Sequence, residues 1–147
     1  MRILPTFNSI EELNAHLQTA INNALENEVA KGIKEVIQQE VRILVYGAGQ
    51  PIWYERRNLS NGSLGDIGSM HSMVYNNTLF VTDNAKPKKQ EQLNPLVENI
   101  EEGYWGKDKW WNIPRPFMSS AEDIILENKA HIIWLSEGLD RQGIKVK

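Results

Sequence analysis

An α+β fold, with a long N-terminal amphipathic helix and C-terminal helices packed on a small antiparallel β-sheet, follows from three features of this sequence. Apolar residues recur every three or four positions from Ile10 to Val41, one face of an α-helix. Two β-rich runs flank Asn76-Asn77, a pair that tolerates the positive φ of a tight hairpin turn. A second apolar helix pattern follows Ser119. Helix, hairpin and then helices is the order expected of helices laid against one antiparallel sheet. At 147 residues the chain suits a single domain, 1–147, able to bury most of its apolar surface. Loops are expected to protrude near 47–68, 83–92 and 104–114.

The first helix opens at Ser9, an N-cap residue with Glu12 three positions on, the capping-box spacing. Ile10, Leu13, Leu17, Ile21, Leu25, Val29, Ile33, Val36, Ile37 and Val41 form its stripe. Gly32 costs about 1 kcal/mol relative to alanine and leaves room for a kink or break. Some thirty helical residues span about 45 Å, more than a compact domain of this size needs. Part of the stripe is therefore expected to pack on another chain. Val41–Tyr46 is β-rich and reads either as a strand or as more helix. Ile52–Arg57 reads as extended, and Asn58–Gly68 as a Gly- and Asn-rich loop. The strands are expected at 69–75 and 78–82, followed by a polar loop from Asp83 to Gln92. Asn94-Pro95 has the form of an N-cap with proline at the first helical position. Leu96, Val97 and Ile100 supply its apolar face and Gly103 its end.

Ile113-Pro-Arg-Pro-Phe-Met118 forms a braced arm, because Pro114 and Pro116 fix φ and push Ile113 and Arg115 toward extended conformations. Ser119 with Glu122 is a second capping-box spacing. The helix that follows is expected to run to Gly138 or Gly143, with Gly143–Lys147 as a last short strand. Trp105, Trp110 and Trp111 fall within seven residues of polar sequence. Large rings in such a loop either fold back on a core or meet a partner.

Composition narrows the chemistry. There is no cysteine, so disulfides, thiolate metal sites and a cysteine nucleophile are excluded. A net charge of −3 lacks the basic excess of a domain that grips nucleic acid. Met1-Arg-Ile-Leu-Pro5 does not have the form of a secretory leader. No run of 18 apolar residues occurs, so no membrane helix is expected. A soluble, mildly acidic, cytoplasmic-type protein is the expectation.

His16, His71 and His131 lack the second ligand at i+3 or i+4 of a zinc signature. Gly47-Ala-Gly49 lacks the Lys-Ser/Thr of a phosphate loop, and Pro51 intrudes. Glu101 and Glu102 point about 100° apart on a helix. Lys86-Pro-Lys-Lys89 is a basic knot without interleaved aromatics. These residues compose no catalytic constellation, and no cofactor or metal is expected.

The segments Tyr54-Glu-Arg-Arg57, Gly62-Ser-Leu64, the hairpin, Leu96-Val-Glu98 with Glu101-Glu-Gly103, Arg115-Pro-Phe-Met118 and Gly138-Leu-Asp-Arg-Gln-Gly-Ile144 stand in a fixed order. That series resembles the tail-completion, or head–tail joining, proteins of tailed bacteriophages, also described as neck or minor capsid proteins. The resemblance spans roughly residues 10 to 144. It implies a structural virion protein at the neck, made in the bacterial host cytoplasm, rather than an enzyme. It further implies a homo-oligomeric ring, a hexamer or larger, joining portal or adaptor proteins to the tail tube or tail terminator, with DNA passing through the lumen. Interface candidates are Tyr54, Arg56, Arg57, Trp105, Trp110, Trp111, Arg115, Phe117 and Met118, since Arg and aromatic residues dominate interface hot spots. Phe117 suits a core or an interface equally. The acidic charge predicts a neutral to negative lumen, with Lys86–Lys89 turned to protein or solvent. Two alternatives stand beside this: a small phage- or prophage-encoded hydrolase or nuclease using Glu101, Glu102 and His131, and a non-ring adaptor that binds through Trp110 and Trp111.

Overall fold

The computed structural model describes residues 5–47, 62–85, 97, 100–101 and 114–147. Four helical segments run without interruption: α1 (Ile10–Ala24), a π-helical segment (Leu25–Val29), α2 (Ala30–Glu40) and a second π-helical segment (Val41–Tyr46). The residues at each junction keep right-handed helical angles, so together they make one rod of roughly 55 Å. Ser9 caps it. Its Oγ accepts from the Glu12 N–H at 3.1 Å, and the Glu12 carboxylate accepts from the Asn8 N–H at 2.9 Å. The reciprocal bond of the capping box is thus displaced by one residue.

The rod passes straight through Gly32, where the sequence left room for a break. A Cβ at Gly32 would lie 2.5 Å from Trp134 Cδ2, so the missing side chain serves close packing of an indole on the helix. Val41–Tyr46 stays helical despite its β-rich composition. Ile37, Val41 and Val45, spaced by four, are all buried in the main core, and that burial outweighs local β preference.

A short 3₁₀ turn (Ile67–Ser69) leads into β1 (Met70–Tyr75), which pairs antiparallel with β2 (Thr78–Asp83) from Met70↔Asp83 to Tyr75↔Thr78. Asn76 and Asn77 both take positive φ, 47° and 60°, the requirement of a two-residue type I′ turn. The hairpin is the one sheet among the described residues.

The C-terminal part holds two helices where one was expected: α3 (Phe117–Glu127) and α4 (Ala130–Arg141). They bend at Asn128 and Lys129, the latter left-handed at φ 52°. Gly138 lies inside α4 and is buried; the helix ends only at Gly143, φ 88°. There the Gly143 N–H donates to Asp140 O and the Ile144 N–H to Leu139 O, both 2.9 Å, a Schellman closure with its accompanying apolar contact. Because Ile144 packs back on the cluster of Ala20, Ala24 and Leu139, residues 144–147 form no strand; the expected final strand is corrected.

α4 runs antiparallel along the rod. Trp134 covers Gly32, a Cβ on Gly138 would lie 2.7 Å from Ala24 Cβ, and Gln142 Nε2 donates to Ala20 O at 2.9 Å. The main core gathers Ile37, Val41, Val45, Leu64, Met70, Ala85, Ile100, Phe117 and Ala121, joining rod, hairpin and α3. Val97, Ile100 and Glu101 have helical backbone. The expectations for Ile52–Arg57 and the tryptophan loop lie outside the described residues, as does the Asn94-Pro95 helix start. No helix among the described residues is long and apolar enough to cross a membrane.

Candidate interaction surface

The arm leads to a helix start built differently from the one its sequence suggests. α3 begins at Phe117, and Pro116 stands at the N-cap with no side-chain bond to give. Ser119 is therefore not the cap, and Glu122 does not complete a box. A carboxylate from elsewhere in the chain takes that place. Glu101 Oε2 accepts from the Met118 N–H at 3.1 Å, while Oε1 accepts from the Ser119 N–H at 2.9 Å and the Ser119 hydroxyl at 2.8 Å. An anion at this end satisfies orphan N–H donors and meets the positive end of the helix dipole. Glu101, a candidate for hydrolytic chemistry by sequence, is thus engaged as a cap supplied by a distant segment. One turn on, the Ser120 hydroxyl donates to buried Glu40 Oε2 at 2.7 Å, tying α3 to the rod.

Of the candidate contact residues, Phe117 is fully buried in the main core, so its ring contributes to the subunit's own packing and offers no surface. Met118 is half-buried against the same core. Arg115 is half-buried, its N–H donating to Ile100 O at 3.0 Å. Tyr54, Arg56, Arg57, Trp105, Trp110, Trp111 and Glu102 lie outside the described residues, as does Lys86–Lys89.

Three uncovered apolar regions stand out. Ile10 to Thr19, the first ten residues of the rod, include no buried residue, and the core begins at Ala20. Ile10 and Leu13 lie open there, although the Phe7 ring approaches His16 at 5.0 Å between centroids. On the hairpin, Ser72, Val74, Leu79 and Val81 are half-buried. The outer face presents Met73, Tyr75 and Phe80, 61%, 64% and 49% exposed, with Met73 directly across from Phe80. Around the α3–α4 bend, Leu126, Ile132 and Ile133 are each more than half exposed. Sequence reasoning missed the last two regions. Their signal was present: Met73-Val74-Tyr75 and Leu79-Phe80-Val81 are apolar on both faces of a two-stranded sheet that has one core to cover.

Polar chemistry concentrates at the root of the hairpin. Asp83 Oδ1 accepts from the Ala85 N–H at 3.0 Å and the Ser69 hydroxyl at 3.3 Å, while Oδ2 is buried without a partner. Burial, helped by the negative charge of Asp66, pushes the Asp83 carboxyl up to about 6 against the two hydrogen bonds. Asp66 itself accepts from the Gly62 and Gly68 N–H groups. A cleft of about 590 Å³ beside Trp134 has charged walls, but Arg141 pairs with Glu28 at 3.1 Å and Lys31 with Glu35 at 3.8 Å. No group of three or more His, Asp or Glu that could hold a metal occurs among the described residues.

Neither a curated protein nor a solved structure matches the chain. The sequence model of the YomN family, which is associated with phages and prophages, matches residues 9–141. That span takes in the rod, the hairpin and both C-terminal helices, and the chain belongs to the YomN family.

Proposed function

We propose that this chain is a structural subunit of the head–tail junction of a tailed phage. Copies close into a ring of six or more that joins portal or adaptor proteins to the tail tube or its terminator, and the genome passes through the opening. The observation that carries the reading is the overhang of α1: ten helical residues with an apolar stripe stand beyond the subunit's own core. Most helical stability in proteins comes from packing of an amphipathic face, and a neighbouring copy gives this stripe a place to pack. Membership of a phage-associated family supports the same reading. So does the mildly acidic charge, since a lining that does not grip phosphates lets DNA slide. The protein binds no cofactor and performs no catalysis in this role. It is made in the host cytoplasm and ends in the virion neck.

Immunogold labelling of particles from the phage that encodes this chain tests the proposal. Gold confined to the junction of head and tail is the expected result. Label on the capsid faces or the tail tip, or its absence from complete particles, contradicts it.

A further inference from the structure

We infer that the root of the hairpin is a proton-operated clasp. Asp83 ties the exit of β2 to the turn before β1 while it carries a proton, and releases it on ionising. The inference is independent of where the chain sits in a particle.

A count of hydrogens carries it. Three acceptors surround the single hydroxyl hydrogen of Ser69: Asp66 O at 2.8 Å, Ser63 O at 3.0 Å and Asp83 Oδ1 at 3.3 Å. The carbonyls are the nearer two, so the hydroxyl is drawn away from the carboxylate. Oδ1 then keeps the Ala85 N–H, and buried Oδ2 has no partner. A carboxylate placed so is short of donors, and burying it in that state is costly. A proton on Asp83 removes the charge and gives the carboxyl a hydrogen to offer the Ser69 oxygen. The groups around it supply no substitute. Asp66 spends its own carboxylate on the Gly62 and Gly68 N–H groups, and its charge opposes ionisation of Asp83. On α2, neutral Gln38 meets the turn, donating to Gly65 O at 2.7 Å. Lys34 lines the cleft beside Ile67, while Glu35 pairs with Lys31 and Glu40 accepts from Ser120. His71, the next residue along β1 from Met70, is exposed opposite Thr82. Lys86 lies outside the described residues.

The clasp sits where the hairpin joins the rest of the subunit. Met70, which pairs with Asp83, is buried in the main core, as are Leu64 in the turn and Ala85 beyond the strand. The Asn84 N–H donates to Ser69 O at 3.0 Å, so strand exit and turn meet at Ser69. Ionisation of Asp83 draws its carboxylate toward water and gives up the Ala85 bond. The exit of β2 and the 62–69 turn then loosen, while the ladder from His71↔Thr82 to Tyr75↔Thr78 keeps its pairing. The hairpin's hold on the rod is thus firm at acid pH and weaker above about pH 6, the value to which burial first of all raises this carboxyl.

Hydrogen–deuterium exchange of the full-length chain tests this, read by mass spectrometry and corrected for the intrinsic pH dependence of exchange. Peptides covering 62–69 and 83–85 should lose protection by about five- to thirtyfold as pH rises from about 4 to about 7. Low urea should leave that exchange unchanged while it speeds exchange of the rod around Ile37 and Val41, because a local opening exposes little surface. Asp83→Asn, checked for a native circular-dichroism spectrum, should hold protection of the root constant across the range. Ser69→Ala should move the transition to higher pH, since the hydroxyl bond favours the ionised form; this variant also serves if Asp83→Asn does not fold. Root protection that does not change with pH in the wild type overturns the inference. So does a change that persists in Asp83→Asn, or one that follows urea as the rod does and so reports global unfolding. Protection restored at neutral pH by calcium would give the root to a cation instead of a proton, and overturns it as well.

Discussion

Phe117 shows at the scale of one residue how much a motif leaves open. The proline-braced arm fixes where the ring is delivered, but not whether it faces inward. Its neighbours decide that, and among them are Ile37, Val41 and Ile100, from distant parts of the chain. With the ring fully buried, Phe117→Ala should lower unfolding free energy by about 3–5 kcal/mol, transfer and cavity terms together. A shift in the urea midpoint measures it; a loss below 1 kcal/mol would mean the ring is not in the core. Asp83 gives a second prediction, with an unusual sign. Its carboxyl is raised in the folded state from 3.8 to about 6, so the native protein holds this proton more tightly than the unfolded chain. Stability contributed by that proton is present at acid pH and is lost as pH rises through the window from about 4 to about 6. Asp83→Asn keeps the acceptor for Ala85 and Ser69 without the titration. The variant should therefore gain about 1–2 kcal/mol on the wild type between pH 4 and pH 7.5, allowing for screening at a partly exposed site. Parallel urea midpoints across that range would contradict the assignment.

Among the elements, those whose causes are local were the legible ones. Ser9 and the 3.6-residue stripe announce the first helix, and Asn76-Asn77 announces the hairpin turn. Most of the boundaries misread or left open were decided by partners far along the chain. Nothing near Ser119 shows that Glu101 will cap α3. Nothing in Val41–Tyr46 shows that Val41 and Val45 will be buried against α3 and the hairpin. Gly32 and Gly138 read as breakers, yet both sit inside helices because Trp134 in one case and Ala24 in the other press against the missing Cβ. The bend at Asn128-Lys129 was invisible for another reason, since neither residue is the glycine that usually marks a left-handed position. That strain gives a prediction. Lys129→Gly should raise stability by about 0.5–1 kcal/mol, the relief of left-handed strain less the added freedom of the unfolded chain. Thermal melts read it, and a fall in melting temperature would show that the Lys129 side chain matters more than its backbone.

For the whole molecule, the sequence made fold class and family-level character legible: an α+β chain, phage-associated, with more amphipathic helix than one small core can use. Its open apolar surface was legible only in part. Aromatic and arginine-rich segments drew attention by composition, whereas the hairpin face and the α3–α4 bend emerge only once burial is assigned, because a valine and a methionine on adjacent strand positions look alike until one of them is covered. The account stands on the subunit being incomplete alone: α1 overhangs, and apolar side chains on the hairpin and at the α3–α4 bend lie open. Native mass spectrometry of the purified chain at tens of micromolar tests this most directly. A closed assembly of six or more 16.9 kDa subunits, free of smaller species at saturation, is the predicted result. A lone 16.9 kDa species across the whole concentration range would contradict it.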